Sequence, residues 1–135
     1  MSGSVCGAAL LMPLLMATNG MGADEDAPAW KGFRVEELSS RRAKSGRAYL
    51  EFLRVPDMNA GIYELAAGSE DLQSPHTEDE IYYVVAGTAR FRAAGEVTDV
   101  GPGSVLYVRA GVSHRFEEIT SDLKILVVFA STSDD

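Results

Sequence analysis

Apolar and polar residues alternate along most of the chain after residue 47, and a period of two predicts strands. Ala48–Val55 alternates with Leu50 and Phe52 on one face, and Pro56-Asp57 breaks it. Gly61–Leu65 is the next run, closed by Ala67-Gly68-Ser69. Glu80–Val85 is apolar on both parities, as expected of a strand covered on both sides. Gly87 is expected to turn the chain. Thr88–Ala93 then places Ala89 and Phe91 inward and Arg90 and Arg92 outward, and Gly95 turns it again. Val97–Val100, Ser104–Val108 and His114–Ile119 follow, separated by Gly101-Pro102-Gly103 and Ala110-Gly111. Leu123–Ala130 is again apolar on both parities. About eight short strands with frequent turns predict an all-β sandwich or small barrel. One helix precedes them: Phe33–Lys44 carries an apolar stripe at Val35, Leu38 and Ala43 and ends at Ser45-Gly46.

The N-terminal residues follow neither pattern. Positions 1–23 contain no charged side chain, and Val5 to Ala17 is an apolar run broken by Pro13. That run is too short to span a bilayer as a helix. It has the length of a signal-peptide core, with Met21-Gly22-Ala23 as a small-residue cleavage site. Against export, the start Met1-Ser2-Gly3-Ser4 has no Lys or Arg, and Met21 can itself be a start. A cytoplasmic location is therefore expected ahead of export. Residues 24–32 read as an acidic linker, 33–131 as one folded domain and 132–135 as a polar tail.

A chain of 135 residues is long enough for one domain with a real core. Its net charge of −8 argues against nucleic acid and against anionic membrane surfaces as partners. The single cysteine, Cys6, excludes an internal disulfide and lies in the leader, away from any catalytic role.

The chemistry concentrates in two stretches. Residues two apart on a strand share a face, so His76, Glu78 and Glu80 project together and Tyr82 continues the row. His114, the second of two histidines, heads a later strand with Phe116 on its side. If the two strands pair or face each other, His76, Glu80 and His114 converge. Two imidazoles and a carboxylate would hold a divalent transition metal (Fe, Mn, Ni, Co or Zn) and leave positions open for water or substrate. The plainer reading is that both histidines merely cap strands. Tyr63, Tyr82, Tyr107 and Phe116 read as pocket lining or as plain core. Arg109 reads as a carboxylate binder or as a solvent-exposed loop residue.

The order of the two stretches adds to this. His-x3-Glu-x6-Gly runs from His76 through Glu80 to Gly87, and Gly-x7-Gly-x2-His runs from Gly103 through Gly111 to His114. Together they resemble the two motifs of the cupin superfamily, over about Ala48 to Ala130. The resemblance implies a small double-stranded β-helix, or jelly-roll, with a metal held inside the barrel. One copy of each motif implies a monocupin, and the short spacer resembles compact bacterial members. The implied ligands are His76, Glu80 and His114. The chain departs from the usual pattern at Ser74, where a first histidine would stand, at Arg109 in place of a proline, and at Glu118 in place of an asparagine. Three outcomes follow: a three-ligand site, a site completed by Gln73 or Glu78, or a metal-free barrel.

The function implied is metal-dependent action on a small organic molecule, dioxygenase-like or isomerase-like, with Glu78 or Tyr82 moving protons. The alternative is a non-catalytic small-ligand-binding or sensor barrel. One barrel cannot bury both faces of strands that are apolar on both parities, so a homodimer is also expected.

Overall fold

The computed structural model describes residues 28–130. The leader, residues 24–27 of the linker and the polar tail read from the sequence lie outside the described residues. No helix among the described residues is long and apolar enough to cross a membrane.

The helix α1 spans Val35–Ser45, with Leu38 as its buried residue. Its charges suit its dipole, Glu36 and Glu37 in the first turn and Arg42 and Lys44 in the last. Gly46, in the left-handed conformation, ends it by donating its amide to the Ala43 carbonyl. Arg42 pairs with Glu64 at 3.4 Å, and Ser39 Oγ donates to the same carboxylate, which ties α1 to the sheet.

Six strands follow: β1 Tyr49–Val55, β2 Met58–Leu65, β3 Asp79–Ala93, β4 Glu96–Val100, β5 Val105–Val108 and β6 His114–Ala130. The eight runs expected from the pattern are six strands because two pairs are fused. Glu80–Val85 and Thr88–Ala93 are one strand, β3, and His114–Ile119 and Leu123–Ala130 are one strand, β6. Gly87 does not reverse the chain. It sits inside β3 at φ 96, within the Ala86/Thr88 shift of the β3–β6 register and flanked by shifts at Val84/Ala86 and Thr88/Arg90. It therefore acts as a bulge that bends the strand pair.

The pairing gives two sheet halves. The first half of β3 pairs with β5 and with the end of β6, which continues through β2 to β1. The second half of β3 pairs with β4 and with the start of β6. All pairs are antiparallel. Glu80 pairs with Phe129 at one end of the ladder, whereas His114 pairs with Ala93 at the other. Glu80 and Ala93 would stand about 43 Å apart on a straight strand rising ~3.3 Å per residue. Yet the Glu80 and His114 side chains meet at 3.0 Å. The ladder must fold over at its bulge so that the two halves face each other. That is a double-stranded β-helix, the jelly-roll expected.

Between the halves lies the core: Leu65, Tyr82, Val84, Phe91, Phe116, Leu123, Ile125 and Val127 are all buried. Phe116 packs edge-on to Tyr82 at 5.1 Å between ring centroids, and Phe91 lies 4.9 Å from Phe116. Alternation along the first half of β3 is strict, with Glu80, Tyr82 and Val84 buried and Ile81 and Tyr83 exposed, and the buried parity switches after Gly87 to Ala89 and Phe91. The second parity of β3 and β5 is thus not covered by any of the described residues. Tyr107 belongs to that outer face, 63% exposed, and lines neither the core nor the cavity beside Glu80. Arg109 is likewise an exposed loop residue.

Candidate metal centre

The three residues singled out from the sequence come together, each offering one ligand atom within 4.8 Å of the others. Glu80 enters from the second position of β3 and His114 from the first of β6. His76 stands in the loop before β3 rather than on a strand. Its Nε2 lies 3.7 Å from Glu80 Oε1.

One loop holds both histidines. The Gly111 amide donates to the His76 carbonyl at 2.8 Å, and the Val112 carbonyl lies 2.8 Å from His114 Nδ1. A carbonyl only accepts, so Nδ1 carries the proton. The neutral His114 ring therefore presents an Nε2 lone pair to the site. The Ala110 amide is also fixed, by Asp79 Oδ1 at 2.7 Å, which turns Asp79 away from the cluster.

Glu80 is 2% exposed, and neither carboxylate oxygen has a hydrogen-bond partner. Both oxygens of a buried carboxylate left unpartnered are an unfavourable arrangement unless a cation joins them. Close to Glu80 is the His114 ring. Burial alone would lower the His114 pKa. The adjacent Glu80 carboxylate, the Val112 carbonyl and the charge of Asp71 outweigh it and raise the pKa above its ordinary value. A group of two imidazoles and an orphaned buried carboxylate fits a divalent transition metal, which would be held by His76, Glu80 and His114.

Tyr82, named from the sequence as a proton carrier, is buried against the cluster. Its hydroxyl lies 2.9 Å from His114 Nε2 and 2.9 Å from Gln73 Oε1. Burial first, and the neighbouring Glu80 charge second, push its pKa far above the ordinary tyrosine range. Tyr82 therefore keeps its proton and acts as a donor near neutral pH. Glu78 lines the cavity beside the cluster but is not one of the three converging residues. Ser74 is exposed.

The cavity measures about 460 Å³ and is lined by Tyr49, Asn59, Tyr63, Gln73, Val127 and Phe129 among others. Of the aromatics proposed as lining, Tyr63 and Tyr82 face it, whereas Phe116 belongs to the core. Gly61 makes room for Tyr49, because a Cβ there would stand 2.2 Å from the Tyr49 ring. The Tyr49 hydroxyl is buried without a partner, and burial with the nearby Glu51 charge raises its pKa to about 12.

Asp71 is the residue the sequence did not disclose. It is 6% exposed. It accepts from Tyr63 Oη at 2.5 Å, from Gln73 Nε2 at 2.5 Å and from the Phe116 amide at 2.9 Å. It lies in a polar loop with no periodicity, and an acid among many acids gives no signal of burial.

Comparison with known proteins agrees with this geometry. Residues 61–129 match the family model described as the cupin domain. An uncharacterised protein of Streptomyces coelicolor is 50% identical over 100 residues, covering 74% of this chain and 95% of that protein. Acireductone dioxygenase 2 of Arabidopsis thaliana is 32% identical over 90 residues, covering 60% of this chain but only 45% of the plant protein. The solved structure of an RmlC-like cupin family protein with a double-stranded β-helix fold, from Methanocaldococcus jannaschii, superposes with a TM-score of 0.56 at 17% identity. That superposition covers 61% of this chain and 77% of the archaeal one. With both motifs in place on a jelly-roll that closes around them, the chain belongs to the cupin family.

Proposed function

We propose that this protein is a metal-dependent monocupin that acts on a small organic molecule inside its barrel. The observation that carries the reading is the Glu80 carboxylate, buried with both oxygens unpartnered beside His114 Nε2. The bound metal would supply Lewis acidity and a template for orienting substrate. The chain's own groups do the rest. His114 is held in one tautomer by the Val112 carbonyl. Tyr82 offers an O–H to an acceptor at the site, and Glu78 lines the cavity as the carboxylate able to take up a proton. The Tyr49 hydroxyl has no partner among the described residues and lines the cavity, where it would hydrogen-bond a substrate oxygen.

Dioxygenase-like and isomerase-like chemistry both use such a site. The likeness to acireductone dioxygenase 2 supports the first. The test is metal analysis of protein purified without chelator, then oxygen-uptake assays on candidate substrates with the metal found. About one transition-metal ion per chain is expected. A protein that carries none, takes none up and melts identically with and without chelator is a ligand-binding barrel instead.

A further inference from the structure

The cluster of two histidines and Glu80 is bordered by one further oxygen, that of the Gln73 side chain, which accepts from the Tyr82 hydroxyl and lies beside His76 Nε2. Gln73 sits one residue before Ser74, where the family pattern would place a histidine. Ser74 itself is exposed and absent from the cavity lining.

The orientation of the Gln73 amide is fixed. Its Nε2 donates to Asp71 Oδ2 at 2.5 Å, and its backbone amide lies 3.3 Å from Asp71 Oδ1. A carboxylate accepts and does not donate, so the nitrogen must face Asp71 and the oxygen must face the site. Asp71 cannot swing away, because it also holds Tyr63 Oη and the Phe116 amide. The oxygen so presented lies 3.0 Å from His76 Nε2 and 2.9 Å from Tyr82 Oη.

The separations are those of neighbouring ligands. Donors about 2.1 Å from a metal lie about 3.0 Å apart at right angles and about 3.4 Å apart at tetrahedral angles. Three edges around the cluster measure 3.0 Å for Gln73 Oε1 to His76 Nε2, 3.0 Å for His114 Nε2 to Glu80 Oε1 and 3.7 Å for His76 Nε2 to Glu80 Oε1. Gln73 Oε1 extends that chain of donors by one more atom at the same spacing.

We infer that Gln73 Oε1 is a fourth protein ligand of the metal, aimed by the buried carboxylate of Asp71. The inference rests on the metal-dependent reading above. It makes the site a two-histidine, one-carboxylate, one-amide set, which leaves two positions of an octahedral ion for water or substrate. It also assigns Asp71 as a positioning residue, since it touches the ligand and not the metal. The Gln73 amide is neutral, so the ligand set carries one negative charge and favours a divalent ion over a trivalent one.

Mn(II) is the probe, because the relaxation of water protons by bound Mn(II) reports how many exchangeable waters it holds. Wild-type protein, Gln73→Leu, Gln73→Glu and Ser74→Ala are each titrated with Mn(II) alone. Gln73→Leu is expected to weaken binding at least ~10-fold and to raise relaxivity per bound ion, as water takes the vacated position. Gln73→Glu removes the same hydrogen bond to Asp71 but keeps an oxygen at the ligand position, so it should retain the wild-type relaxivity. Ser74→Ala should match the wild type in both readings. If Gln73→Leu binds as the wild type does, or binds more weakly with no gain in relaxivity, Gln73 only steadies His76 and the assignment is overturned. A wild-type chain that takes up no Mn(II), Co(II) or Zn(II) overturns the metal reading itself, and this inference with it.

Discussion

Gly87→Ala should be among the most damaging single-methyl additions in this protein. Gly87 has φ 96, and an added Cβ would stand 2.1 Å from the Asp122 carbonyl oxygen and 2.7 Å from Leu123 Cα. These are backbone atoms in the paired strand, so no side chain can move aside. Positive φ at a residue with a Cβ costs about 1–2 kcal/mol, and overpacking adds about 1–3 kcal/mol. The sum, roughly 2–5 kcal/mol, is a large part of the ~5–15 kcal/mol that typically holds a domain together. For a domain of about 100 residues each kcal/mol moves Tm by roughly 4–8 °C, so a fall of about 8 °C or more is expected. Gly95→Ala is the internal control. Gly95 has φ 82 but nothing within 4 Å of its added Cβ, so only the conformational part applies. Urea denaturation of both variants, with their metal affinities, separates the two contributions. If Gly87→Ala loses no more stability than Gly95→Ala, the bend at Gly87 is not sterically locked and the account of barrel closure fails.

Other outcomes follow from the site and the outer face. His114→Ala should abolish stoichiometric metal and erase the difference in Tm between chelated and metal-loaded protein, read by differential scanning calorimetry. The pH dependence should have opposite signs in the two forms. The raised His114 pKa means the chelated protein gains stability from this group below about 6.5 and loses it as pH rises through the folded value. Metal binding needs the neutral ring, so apparent affinity should fall about tenfold (~1.4 kcal/mol) per pH unit below that folded value; a flat affinity profile by calorimetry across that range excludes His114 as a ligand. Ile81, Tyr83, Val105 and Tyr107 form an exposed apolar patch, with Ile81 opposite Tyr107 and Tyr83 opposite Val105. A homodimer through this face is expected, and Tyr107→Glu should dissociate it; sedimentation of wild type as a monomer at high micromolar concentration refutes it.

The fold was legible because short runs of strand type recur with turn signals between them. Ala89 and Phe91 are buried where the alternation of Thr88–Ala93 puts them, whereas Glu80–Val85 and Leu123–Ala130, apolar on both parities, gave no inner face until the register was known. The strand count was not legible, because glycine at position 87 marks both a turn and a bulge with the same residue. Only the register, with its shifts on either side, distinguishes the two. The site was half legible. His76, Glu80 and His114 stand out by type and spacing. Gln73 was named only as one of two residues able to complete the site, and Asp71, which aims its amide, acts through burial, which leaves no mark in a polar loop. Tyr107 was misplaced because a tyrosine on a strand gives no sign of which face it takes until the register is known.

Folding kinetics should bear the mark of the bent β3–β6 ladder. Glu80 belongs to one half and His114 to the other, so the donors meet only after the two halves have closed. If closure follows the rate-limiting step, bound metal stabilises the native state and not the transition state. Metal should then slow unfolding by the full factor of its stabilisation and leave the folding rate unchanged. The same ion that completes the chemistry would in that case set the lifetime of the folded barrel, and a chevron measured with and without chelator should differ in its unfolding arm alone.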